Sequence, residues 1–168
     1  MADVCPTCTT PAGPYAVAQP GISNFTGVDV VNREKKELAE ELGKLPSLST
    51  ATSDDLEALA EAGDVVTLPD QWAFVHEGTP ADAAYILLSG EANVIMGRSI
   101  VASLAAGAII GEMAYMDGGQ RHATVSTHGR VRAMRVNYDK LTPLLDKRPS
   151  LRDVLRAVDR ERRGAHED

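Results

Sequence analysis

Between Asp64 and Val136 the sequence gives up helical periodicity for a series of short runs of β-type residues. These are "DVVTL", "WAFVHEG", "AYILLSG", "EANVIM", "IVASL", "AIIGE", "HATVST" and "VRAMRV", many ending near Gly, Pro or Asp. Short strands at this spacing specify an all-β sandwich or barrel rather than alternating βαβ units. Met96-Gly97-Arg98-Ser99 has the form of a tight hairpin. Only 4% of residues are aromatic, so Leu, Val, Ile and Ala must fill the core. The 168 residues suffice for one such core with chain to spare.

Both flanks read as helical. Val30 to Leu42 ("VVNREKKELAEEL") holds good helix formers, a thin apolar stripe of Val31, Leu38 and Leu42, and Gly43 placed to stop it. Its charge run is the solvated face. Thr52 or Ser53 caps a second helix, "SDDLEALAEAG", with acids in its first turn and Gly63 after its end. Beyond Val136, "YDKLTPLLDK" makes a short helix broken near Pro149. "SLRDVLRAVDRERR" follows, with Leu151, Val154, Leu155 and Val158 on one face. Residues 1–28, rich in Pro, Gly, Thr and Ala, read as a flexible tail. The expected organisation is a tail over 1–28, an N-terminal helix over 29–44 and a mainly β domain with flanking α-helices over 45–165.

Charge and motifs narrow the function. A net charge of −7 and a pI near 5.1 argue against nucleic acid or an anionic membrane as the main partner. No run of about 18 apolar residues exists to span a bilayer. The N-terminus lacks the basic and apolar regions of a signal peptide. A cytoplasmic protein is expected. Cys5 and Cys8 form a single CxxC, and a closed zinc site needs four ligands. The pair reads as incidental thiols, with a metal or disulfide shared between subunits as the other reading. No His-x-His pair, Gly-x-Ser-x-Gly elbow, Walker loop or paired catalytic carboxylates occur, so no enzyme, catalytic residue, metal or cofactor is expected.

One stretch carries chemistry: "IIGEMAYMDGGQRHATV", from Ile109 to Val125. Gly111 lets the backbone approach a ligand, and Glu112 projects a carboxylate there. "EMAYM" reads as a short helical turn whose free amides point at an anion. Gly118-Gly119 permits the reversal that returns Arg121 toward Glu112. An arginine fork suits a phosphate, and a carboxylate accepts from sugar hydroxyls. Charges held away from water need compensation, so either these two satisfy each other or a ligand satisfies both.

The segment resembles the phosphate-binding cassette of the cyclic nucleotide-binding domain family, whose pattern is Phe-Gly-Glu-x-Ala-Leu-Leu, a loop, then Arg-x-Ala-Thr-Val. Here it stands as Ile110-Gly111-Glu112-Met113-Ala114-Tyr115-Met116, then Arg121-His122-Ala123-Thr124-Val125. The likeness runs from about Leu45 to about Leu155, with Gly78, Tyr85 and Gly90 at family offsets. It implies a double-stranded β-helix, or jelly-roll, barrel between N-terminal and C-terminal helices. It also implies that Glu112 accepts from the ribose 2′-hydroxyl and Arg121 pairs with the cyclic phosphate. Gly111 and the amides of Met113, Ala114 and Ala123 complete the shell. Three departures stand out. Gln71 occupies a position that is usually glycine, Tyr115 brings a hydroxyl that needs a partner, and His122 replaces Ala, Ser or Thr. The family's threonine is associated with cGMP, so its absence leans the site to cAMP over cGMP. His122 donates to the phosphate, makes binding pH-sensitive or crowds the pocket, or else it faces solvent inertly.

Two readings follow. The first is a stand-alone sensor that binds cAMP, with cGMP as the other candidate, and signals to an unidentified protein partner through its C-terminal helix. A homodimer is compatible with it. That helix either lids the purine with Leu151, Leu155 or Val158, or packs on the barrel. The alternative is a ligand-free scaffold in which Glu112 and Arg121 pair with each other and the tail and first helix dock onto a larger assembly. DNA binding is not expected, since no helix-turn-helix follows the final helix.

Overall fold

The computed structural model describes residues 27–165, so Cys5, Cys8 and most of the 1–28 tail, with the expectations made of them, lie outside the described residues. The first helix, α1 (Gly27–Gly43), begins three residues before Val30 and ends on Gly43 as expected. Leu38, Ala39 and Leu42 are buried along it, while Val31 stays half exposed. A short 3₁₀ turn (Pro46–Leu48) leads to α2 (Ser53–Ala62). Thr52 is its cap. The Thr52 hydroxyl accepts from the Asp55 amide at 3.2 Å, and the Asp55 carboxylate accepts from the Thr52 amide at 3.2 Å.

The β region holds six strands where the sequence showed eight runs: β1 (Asp64–Leu68), β2 (Ala73–Val75), β3 (Ala83–Met96), β4 (Ser99–Leu104), β5 (Ile109–Ile110) and β6 (Thr124–Asn137). "AYILLSG" and "EANVIM" are one strand, as are "HATVST" and "VRAMRV". The glycines that looked like breaks are bends. Gly90 has φ 90°, and a Cβ there would stand 2.6 Å from the Arg130 carbonyl oxygen, so only glycine lets the strands cross so closely. The β3–β6 register shifts between Leu87 and Ser89 and again across Gly90, between Ser89 and Glu91.

The bend makes the fold. The first half of β3 pairs with β5 and with the second half of β6, which pairs with β1. The second half of β3 pairs with β4 and with the first half of β6, which pairs with β2. Two four-stranded antiparallel sheets therefore share two long bent strands, the jelly-roll arrangement, although the path β1-β6-β3-β4 does not close by hydrogen bonds. Met96 pairs with Ser99 across the expected hairpin. Leu87, Ile110, Val125, Val131 and Ala133 fill the space between the sheets. The outer face of the first sheet, through Ala84, Ile86, Met134 and Val136, is covered by helices.

Those helices include α3 (Glu112–Asp117), α4 (Tyr138–Lys147) and α5 (Pro149–Ala165). Leu141, Leu145, Leu151, Val154 and Leu155 join the α1–α2 side chains in this outer core, with Val158 packed against it. No helix among the described residues is long and apolar enough to cross a membrane. Gln71 is the sole non-glycine residue with positive φ among the described residues, at 56°. Its turn is held by the Gly129 amide donating to Asp70 Oδ1 at 2.6 Å and by the Gln71 amide donating to the Thr127 carbonyl at 3.2 Å. Asp70 thus serves the turn, while Gln71 bears the strain that glycine would avoid.

Candidate functional site

Gly111 starts the site. It holds φ 95° as the cap of α3, and a Cβ there would run into Arg121 Nη1 and come within 3.0 Å of the Ala83 carbonyl oxygen. The Tyr138 hydroxyl donates to the Gly111 carbonyl at 2.7 Å and fixes the turn from behind. Burial pushes that hydroxyl up to about 12. Gly118, at φ 62°, closes α3 and starts the reversal. The return is clamped too: the Arg121 amide donates to Thr79 at 2.8 Å and the Gly78 amide to Arg121 at 2.9 Å.

Glu112 and Arg121 are both buried, at 1% and 6% exposure, but they do not pair with each other. The mutual ion pair of the scaffold reading is therefore absent. Arg121 Nη2 donates to the Ala83 carbonyl at 2.6 Å and stands 3.5 Å from Asp82. Glu112 Oε1 instead accepts from Arg162 of α5 at 2.5 Å. Each buried group keeps one atom with no hydrogen-bond partner: Glu112 Oε2, an acceptor, and Arg121 Nη1, a donor. Burial raises the Glu112 pKa above its ordinary value against the opposing pull of Arg162.

Both line a cleft of about 550 Å³ between α3, the second sheet and the end of α5. The structure brings all seven sequence-predicted residues, Gly111, Glu112, Met113, Ala114, Arg121, His122 and Ala123, onto this one cleft. The opposite wall is apolar, built from Val75, Val94, Met96, Val101, Ala102 and Leu104. His122 is exposed on the rim, 3.3 Å from Asp117. The Tyr115 hydroxyl finds its partner in Thr142 at 3.2 Å.

The purine-lid expectation for Leu151, Leu155 and Val158 does not hold. All three turn to the helical core, where burying them is worth more than leaving them on an open cleft. What α5 sends into the cleft is Arg162, which sequence reading passed over. The signal was there: Arg162 continues the Leu155 and Val158 face, and a charge on an apolar face needs a buried partner. Asp82 and Tyr138 were also missed, since their roles come from pairing across loops distant in sequence.

The family model described as "Cyclic nucleotide-binding domain" matches residues 65–148. A cAMP-dependent protein kinase regulatory subunit of Emericella nidulans is 32% identical over 106 residues, covering 62% of this chain and 26% of that protein. An uncharacterized NTE family protein of Mycobacterium tuberculosis is 31% identical over 122 residues, covering 71% of this chain and 21% of its own length. The chain thus spans about a quarter of the curated relatives it matches. The solved structure of the regulatory domain of Toxoplasma gondii PKA with cAMP superposes with a TM-score of 0.70 at 19% identity, covering 81% of this chain and 52% of that one, a likeness of fold.

Proposed function

The chain belongs to the cyclic nucleotide-binding domain family, and on that premise we propose that it is a cytoplasmic sensor of cAMP that acts on a protein partner through α5. One observation carries the reading. The cleft holds one buried acceptor without a donor, Glu112 Oε2, and one buried donor without an acceptor, Arg121 Nη1. Buried polar atoms left unpaired are costly. A ligand with a ribose hydroxyl beside an anionic phosphate supplies the missing donor and the missing acceptor together. The Arg162 bond leaves the second carboxylate oxygen free, so it orients Glu112 for the sugar without competing for it.

The apolar wall opposite the cassette accepts a base by contact and offers guanine's extra polar groups no neutral hydrogen-bonding side chain, which favours cAMP over cGMP. Ligand that tightens Glu112 also tightens Arg162 and hence the end of α5; a coupling of about 1–3 kcal/mol makes a useful switch. Calorimetric titration of cAMP against the wild type and Arg121→Ala tests the core of this. The wild type should bind and the variant should lose most affinity, while equal binding by both removes the phosphate role. In a thermal-shift panel, cAMP at about 100-fold over its Kd should add about 2.7 kcal/mol of stability, and cGMP less.

A further inference from the structure

Helix α5 presents three distinct surfaces. Leu151, Val154 and Leu155 face the core, and Arg162 enters the cleft. The outer side carries Arg152, Arg156 and Arg160 at successive i+4 positions. Like charges at that spacing repel along a helix, so this stripe does not stabilise α5. In α1, by contrast, Arg33 is neutralised by Glu37 one turn on. Arg152 reaches Asp146, an exposed contact that is cheap to exchange. Arg156 and Arg160 are exposed and form no ion pair among the described residues. Every cation of α5 is arginine, with no lysine among them.

We propose that this outer face is a docking surface for an acidic segment of a partner protein, with Arg156 and Arg160 at its centre. Guanidinium forks match carboxylates in pairs, which ammonium groups do not. The nine residues from Arg152 to Arg160 span roughly 12 Å, the reach of two helical turns of carboxylates. The net charge of −7 selects among acidic partners. An extended polyanion such as DNA or an anionic bilayer meets the repulsion of the whole chain, whereas a short acidic segment meets the stripe and, beside it, the exposed Asp153, Asp159 being held by Arg163. The surface stands on the charges of α5 alone and holds whatever the cleft binds.

The test uses the full chain and a fluorescent fifteen-residue helical peptide with glutamate at every fourth position, followed by anisotropy at low and moderate salt. The wild type should bind it, more weakly as salt rises. Arg156→Glu/Arg160→Glu should weaken binding roughly tenfold or more, and Arg156→Gln/Arg160→Gln by less. Lys36→Glu/Arg98→Glu, which changes net charge equally at two exposed sites elsewhere, should leave it near wild type. No wild-type binding, or equal weakening by the two reversal pairs, overturns the proposal. So does tighter binding of a twenty-base-pair DNA duplex or of phosphatidylglycerol vesicles than of the peptide.

Discussion

Among the described residues two carboxylates are buried against arginines from the C-terminal third, and the fold treats them oppositely. Asp55, 4% exposed, joins α2 to the α4–α5 turn. Its oxygens accept from Arg148 at 3.0 Å, from the Ser150 hydroxyl at 2.5 Å and from the Thr52 amide at 3.2 Å. Burial pushes its pKa up, yet the bonds from Ser150, Arg148 and Thr52 outweigh that and bring it to about 2. Glu112, 1% exposed, has Arg162 on one oxygen and nothing on the other, and burial wins: its pKa rises. Burial and an arginine partner are common to both. The number of satisfied lone pairs separates a structural fastener from a site left open for a ligand.

The comparison breaks most visibly at Asp55. Asp55→Ala strips Arg148, Ser150 and the α2 cap of their shared acceptor and should cost about 3 kcal/mol in urea or thermal unfolding. Glu112→Gln should leave stability within about 1 kcal/mol, because it removes a buried charge that was only half compensated. The same change should weaken cAMP binding roughly tenfold or more by calorimetry, through loss of the charged acceptor. If both variants lose stability alike, the distinction between fastener and open site is gone.

Acid titration sharpens the contrast with the smallest effect. The folded Asp55 pKa lies below its ordinary 3.8, so its contribution is full above that value and is lost as pH falls toward 2. The folded Glu112 pKa lies above its ordinary 4.5, so Glu112 favours folding below that value and loses this contribution as pH rises through its folded pKa. Melting temperatures across pH should therefore differ from wild type in separate windows. Asp55→Asn should flatten the loss between about 4 and 2. Glu112→Gln should remove a gain on acidification toward 4.5. A single shared window for both variants contradicts the assignment.

Much of the site was legible because it is local. Gly111, Glu112, Arg121 and His122 lie within one bend whose geometry the glycines dictate, so chain connectivity alone brings them to one cleft. The six-strand count was not legible, because a glycine that ends a strand and one that bends it look alike until the partner strand is known. Gly90 bends because Arg130 crosses it.

Periodicity, capping and the turn residues of this chain were enough to set helix against strand, to place the cassette and to narrow the α2 cap to Thr52 or Ser53, since these depend on neighbours within a few residues. Which oxygen of Glu112 stays free, that Arg121 leans on Ala83 and Asp82, and that α5 turns Arg162 inward while Leu151 and Leu155 leave the cleft were decided only by tertiary packing. Those outcomes depend on what burial costs each group and on which distant partner is within reach, and neither quantity is written in any short stretch of chain.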